Sequence, residues 1–299
     1  MDIAITGSTG LIGTALVESL EARGDRVFRV VRRRPGTDEI RWDPASGQID
    51  AAGLEGIDAV IHLAGAGIGD RRWTEDYKRT IRDSRVDGTR LLAETLAGLT
   101  RPPQVFVSQS GTGYYGDRGD EVLTEASAGG DGFLADVVSA WEAAAEPARR
   151  AGIRVVHPRT AQVLTHQGGS LARQLPLFRL GLGGRFGPGD QWWCWISLDD
   201  QVAATLHVLS SSLDGPVNFS APDPVRNREF ARALGRALRR PSLLPVPAFG
   251  PKLVVGGELA ESLLFGSQRV MPERLLADGF EFTHPTIESA LETMVARAA

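Results

Sequence analysis

The chain has 299 residues, 42% hydrophobic and 23% charged, with 33 basic against 37 acidic side chains and a formal charge of −4. That is enough length for one large α/β domain, or a domain with a smaller lobe, and the slightly acidic balance speaks against a nucleic-acid partner. No apolar run approaches the ~20 residues of a membrane span, and the single cysteine, Cys194, leaves no internal disulfide and no cysteine-rich metal site.

The first strand, over 3–6, runs into a turn with glycines at Gly7, Gly10 and Gly13, and a helix follows over 11–23. A strand that begins this early leaves no room for a signal peptide, and with one cysteine the expected location is cytoplasmic. A strand, a glycine-rich turn and an amphipathic helix let backbone N–H groups approach a pyrophosphate closely. Gly7, Thr9, Gly10, Leu11, Ile12 and Gly13 are the expected contacts. The bland alternative is a strand–helix turn packed tightly for its own sake.

The second strand, over 26–31, ends in Val31-Arg32-Arg33-Arg34, with no acid. At this place an acidic residue binds a ribose 2′-hydroxyl, whereas arginine accepts a 2′-phosphate. Arg32 and Arg33 therefore point to NADP(H), against the alternative of a solvated basic loop. Further elements are an extended piece over 40–43, strands over 59–63 and 104–108, helices over 74–97 and 132–151, and a strand over 154–159. Alternation of this kind predicts an α/β fold, a doubly wound parallel sheet.

After Thr160 the texture changes. Residues 165–195 are rich in Gly, Arg and Trp. A strand end and helix over 196–209 return to the sheet, followed by a strand over 217–221 and helices over 227–239 and 287–298. This divides the chain into a nucleotide-binding domain, 1–164 plus 196–221, and a smaller substrate-side lobe, 165–195 plus 222–299.

Thr6-Gly7-Ser8-Thr9-Gly10-Leu11-Ile12-Gly13, Asp58 to Gly65, Ser84 to Thr89 and Ser108 to Gly116 together resemble the extended short-chain dehydrogenase/reductases, the superfamily of the sugar-nucleotide epimerases. Trp141-Glu142, Leu180 to Gly184, Gln191-Trp192 and Asn218 to Pro222 resemble its atypical epimerase-like branch, which has its own C-terminal domain, here about 245–299. The resemblance implies a Rossmann domain and further cofactor contacts from His62, Leu63, Ala64, Gly65 and Ser108. It implies an oxidoreductase or epimerase acting on a small hydroxyl or carbonyl substrate, and it leaves open a homodimer through helices 74–97 and 132–150.

The superfamily's proton chemistry rests on a tyrosine with a lysine four residues later, on one helix face. Here the tyrosines are Tyr77, Tyr114 and Tyr115 and the lysines Lys78 and Lys252, and no pair has that spacing. The matching sites hold approximately Leu134 and Val138, which cannot move protons. Ser110 survives as a residue to orient a substrate oxygen. Tyr115 and Tyr114 are candidate proton donors or pocket-lining groups, and Glu142 is a buried acid or an ion-paired glutamate. The five histidines lack ligand spacing, so no metal site is expected. Asp199 and Asp200 read as helix-start residues, and Trp192, Trp193 and Trp195 as either a ligand surface or a core plug. With the usual pair missing, the alternative to an enzyme is a non-catalytic NADPH-binding sensor or scaffold.

Overall fold

The computed structural model describes residues 1–242 and 244–298. Its centre is a nine-stranded sheet. Eight of the strands are β1 (Asp2–Thr6), β2 (Arg26–Val31), β3 (Glu39–Asp43), β4 (Gln48–Ile49), β5 (Ala59–His62), β6 (Val105–Ser108), β7 (Arg154–Thr160) and β8 (Gly215–Phe219). They lie in the order β8-β7-β6-β5-β1-β2-β3-β4. Every pair is parallel except the hairpin of β3 with β4. Ser110–Gly111 adds a short parallel strand beside β7. All residues of β5 and β6 are buried, as expected where helices cover both faces of a parallel sheet.

The helices are α1 (Leu11–Ala22), α2 (Glu75–Ala97), α3 (Phe133–Ala143), α4 (Glu146–Arg150), α5 (Gly169–Arg179), α6 (Leu198–Ser210), α7 (Asn227–Leu238), α8 (Phe249–Val255), α9 (Gly257–Ala260), α10 (Glu273–Ala277) and α11 (Ile287–Arg297). On one face of the sheet, Leu16 and Leu20 of α1 pack with Val202 and Val208 of α6. On the other, Leu92 and Leu96 of α2 and Ala148 of α4 pack with Trp42 and Phe106. The result is the doubly wound Rossmann-like arrangement that the alternation implied. A separate core joins α5, α7 and α11 through Phe178, Phe230 and Leu291 around Trp193 and Trp195. The chain rejoins the main core at Leu275 and Phe280.

Sequence pattern and structure differ in places. The single helix expected over 132–151 is two, α3 and α4, because Pro147 lies in the first turn of α4 and has no N–H to continue the ladder from α3. The strand expected over 217–221 is Gly215–Phe219. The tryptophan run forms two short strands: Trp192–Trp193 pairs with Val225–Arg226, and Trp195–Ser197 with Gln162–Leu164. The outer face of α2 carries Glu75, Asp76, Arg79, Arg82 and Arg90, while Ile81, Val86, Leu92 and Leu96 are buried within this chain. Among the described residues, no helix is long and apolar enough to cross a membrane.

Strand order reverses between β1 and β5, since β2 lies on one side of β1 and β5 on the other. Ligands of open parallel sheets bind in the crevice beyond the carboxyl ends of the strands at such a point.

Candidate active site

The glycine turn occupies that crevice. Gly7 has φ +67°, and a Cβ there would stand 2.9 Å from the Ala64 N and the Leu63 carbonyl carbon, filling the gap between the turns after β1 and β5. A Cβ on Gly13 would meet the Gly7 oxygen at 2.2 Å, so α1 packs directly on the turn. Gly10 precedes α1 with no side-chain cap, and the first turn has no acidic residue. Its amides and helix dipole are left for an anion. Thr6 ties the two turns together. Its hydroxyl accepts from Leu63 N at 3.1 Å and Ala64 N at 3.2 Å, and lies 2.7 Å from His62 Nδ1. The residues present fit a dinucleotide.

The arginines after β2 are not equivalent. Arg33 is clamped by Glu39, with one bond of 2.7 Å and a second, shorter one, and Glu39 also accepts from Gly36 N. The paired guanidinium holds the Glu39 carboxyl below its ordinary value. Arg32 is exposed and makes no ion pair among the described residues. It is the freer of the two cations for a 2′-phosphate.

From the glycine turn a cavity of about 690 Å³ runs across the sheet edge. Leu11, Leu63, Ala64 and Gly65 line one end, and Ser110 lies further in. Ser110 Oγ donates to Glu142 Oε1 at 2.6 Å. Arg159 grips the same carboxylate, Nε to Oε1 and Nη2 to Oε2, each at 2.9 Å. Burial pushes the Glu142 carboxyl up, but the Arg159 hydrogen bonds and charge outweigh it, and the net shift is downward. An ionised carboxylate only accepts, so the Ser110 proton points at Glu142 and the Ser110 lone pairs remain for a ligand.

The tyrosines stand behind this network, and neither lines the cavity. The Tyr115 hydroxyl is buried, donates to Asn218 Oδ1 at 2.7 Å and accepts from Arg159 Nη1 at 3.1 Å. Burial pushes it up to about 12. The Tyr114 ring lies under the Arg159 guanidinium, 3.5 Å from its centroid. Their observed partners make them props for Arg159. His62 and Ser108 are also sealed off from the cavity. His62 is fully buried against Trp42 and Phe106, and burial lowers it to about 3. The Ser108 hydroxyl is buried without a partner among the described residues.

Leu134 and Val138, the sites matching the absent tyrosine and lysine, do line the cavity, beside Val137 and Trp141. Lys78 instead pairs with Glu258 at 2.6 Å and Lys252 with Glu261. The tryptophans divide by place: Trp192 and Trp193 line the cavity, while Trp193 and Trp195 belong to the α5–α7–α11 core. Ser197 caps α6, and Asp200 accepts from the amides of Thr283 and His284. Sequence reasoning passed over Arg159. Its signal was a charged residue next to last in β7, after the apolar pair Val155-Val156, since a buried charge demands a partner. It also passed over Arg85 and Arg173, which line the cavity near the turn after β5.

Residues 3–219 match the NAD dependent epimerase/dehydratase family. The chain belongs to that family. Residues 246–294 match a domain of unknown function, DUF1731. An epimerase family protein of Mycobacterium leprae is 42% identical over 297 residues, covering 99% of this chain and 96% of that protein. The crystal structure of human epimerase family protein SDR39U1 with NADPH is 36% identical, with a TM-score of 0.89 and 99% of each chain covered. A nucleoside-diphosphate sugar epimerase from Corynebacterium glutamicum is also 36% identical, with a TM-score of 0.80, covering 99% of this chain and 58% of that one.

Proposed function

We propose that the chain is an NADP(H)-dependent oxidoreductase or epimerase acting on a small hydroxyl or carbonyl compound, with Ser110 and Glu142 handling the proton in place of the tyrosine–lysine pair. The observation that carries this reading is the Ser110–Glu142 hydrogen bond at the wall of the cavity that begins at the glycine turn. The amides of Gly7, Thr9, Leu11, Ile12 and Gly13 would hold the pyrophosphate, Gly10, whose N–H is donated to the Gly7 carbonyl, would let it approach closely, Leu63, Ala64 and Gly65 would flank it, and Arg32 would meet the 2′-phosphate. The human relative solved with NADPH supports that choice of cofactor.

Bound NADP(H) supplies or takes up a hydride. The chain's own task is the proton. A substrate hydroxyl can donate to the Ser110 lone pairs while the Ser110 proton moves to Glu142 Oε1. A carboxyl held low by Arg159 is ionised at neutral pH, so it is in the form that can accept the proton released in the oxidising half-reaction.

A second reading, an NADPH-binding protein without turnover, draws on Leu134 and Val138 in the cavity wall. NADP(H) turnover over a panel of alcohols, carbonyls and sugar nucleotides separates the two. Turnover that Ser110→Ala and Glu142→Gln both suppress supports the enzyme. Tight NADPH binding without turnover of any compound supports the sensor.

A further inference from the structure

Arg85 of α2 is a buried cation without an anion. It is 7% exposed and lines the cavity beside the turn after β5. Its Nη1 donates to the carbonyls of Ala66 at 2.9 Å and Ile81 at 3.0 Å. The guanidinium lies 5.0 Å from the Trp141 ring centroid, and Trp141 is itself fixed by a 2.8 Å bond from Nε1 to Thr89 Oγ1. Arg85 Nε and Nη2 meet no acceptor among the described residues, and neither atom is sealed from solvent. Burial pulls the guanidinium down to about 10, which leaves it charged at neutral pH. A Cβ on Gly65 would stand 3.3 Å from the guanidinium carbon, so the cation lies directly against that turn.

An ionised side chain is rarely buried without a partner, because desolvation costs more than packing returns. The other charged groups of this turn do not answer it. Asp70 is exposed, its carboxylate lies over Gly67, and it belongs to no ion pair among the described residues. Arg173 is exposed and donates to the Gly69 carbonyl at 3.2 Å. The glycine turn has the opposite deficit. Gly7 to Gly13 include no charged side chain, so a pyrophosphate there meets amides and a helix dipole but no full positive charge. Leu11 at the start of α1, Ala64, Gly65 and Arg85 all line the same cavity.

We infer that Arg85 is the cation that binds the pyrophosphate of the dinucleotide, through its unused Nε and Nη2. This rests on the cofactor proposed above. That edge of a guanidinium matches two phosphate oxygens with parallel, charge-assisted hydrogen bonds. Trp141 and the two carbonyls hold the group in place beforehand, so little side-chain freedom is lost on binding. The pyrophosphate is common to NADPH and NADH. Arg85 therefore adds affinity without choosing between them, and the choice stays with the arginines after β2.

Fluorescence titration of the full chain with NADPH tests this, with ADP-ribose, which keeps the pyrophosphate, and 2′-AMP, which lacks it, as competitors. Arg85→Met removes the charge and keeps most of the bulk. Arg85→Gln removes the charge and keeps a donor for the Ala66 carbonyl, should the first variant fail to fold. The folded variant binds NADPH and ADP-ribose about tenfold or more weakly, and 2′-AMP within about twofold of the parent. Its NADPH affinity falls less steeply with added salt than the parent's, which lost packing alone would not produce. Arg85→Lys recovers part of the affinity. NADPH and ADP-ribose affinities unchanged from the parent overturn the inference. So do an equal loss for 2′-AMP, a loss confined to NADPH, and an unchanged salt dependence. A parent chain that binds no NADPH removes the proposed cofactor itself, whereas a parent and variants that bind it equally well remove only the role of Arg85.

Discussion

Ser110 Oγ donates a 2.6 Å hydrogen bond to Glu142 Oε1, joining a strand-end serine to a helix carboxylate 32 residues away. Arg159 completes the unit from β7. General-base groups of this kind contribute typically ~10²–10⁴-fold. Ser110→Ala and Glu142→Gln should each lower kcat within that range and leave NADPH affinity within about twofold, because neither touches the glycine turn. Steady-state rates and fluorescence titration of NADPH measure the two quantities. Unchanged kcat in both variants removes the relay.

Arg32→Ala and Arg33→Ala should both weaken NADPH binding, for different reasons. Loss of Arg32 removes the free cation. Loss of Arg33 strips Glu39 of its partner and leaves an uncompensated carboxylate near the 2′-phosphate. A charge-assisted hydrogen bond is worth about 1.5–3 kcal/mol, or roughly ten- to a hundredfold in affinity. NADH affinity should hold steady in Arg32→Ala. Equal losses for the two cofactors would remove the 2′-phosphate assignment.

The glycines of the turn should rank by the space around them. Gly13→Ala drives a methyl into the Gly7 oxygen and should prevent stable folding or NADPH binding. Gly10→Ala meets that oxygen at 3.3 Å and should be milder. Urea midpoints with NADPH titrations give the order, and a reversed order contradicts the packing described.

Stability should fall on mild acidification. Burial lowers His62 to about 3 and His157 to about 4, from an ordinary 6.5. Below pH 6.5 the unfolded chain takes up protons that the folded protein refuses. Their contribution is complete above that pH and drains away as pH falls toward 4 and then 3. Each histidine adds a slope of up to about 1.4 kcal/mol per pH unit. Urea unfolding between pH 7 and 5 should show the loss, and His157→Gln should reduce its slope. A flat profile would mean that these rings are open to solvent.

Arg72 and Lys78 should hold the C-terminal wall in place. Arg72 donates to the carbonyls of Leu253 and Val254, and Lys78 pairs with Glu258. The double change to alanine should speed proteolysis within 249–265 and leave global unfolding nearly unchanged, since exposed pairs contribute about 0–1 kcal/mol each. Proteolysis unchanged from the parent would show that packing alone holds the segment.

Much of the molecule can be read from the chain itself. The sheet, the glycine turn, the arginines after β2 and the missing tyrosine–lysine pair are local patterns, carried by residues near one another in sequence. Periodicity and residue chemistry suffice for these, and a census of three tyrosines and two lysines closes the last. Tertiary structure alone decided the rest. It paired Arg33 with Glu39 and left Arg32 without an ion pair among the described residues. It buried His62 and Tyr115, and it brought Ser110, Glu142 and Arg159 together from three separate elements. It also brought the segment after Val255 to the cavity that Leu134 and Val138 line. Side-chain burial and long-range pairing depend on how layers close over the sheet, and composition and spacing along the chain carry no record of that closure.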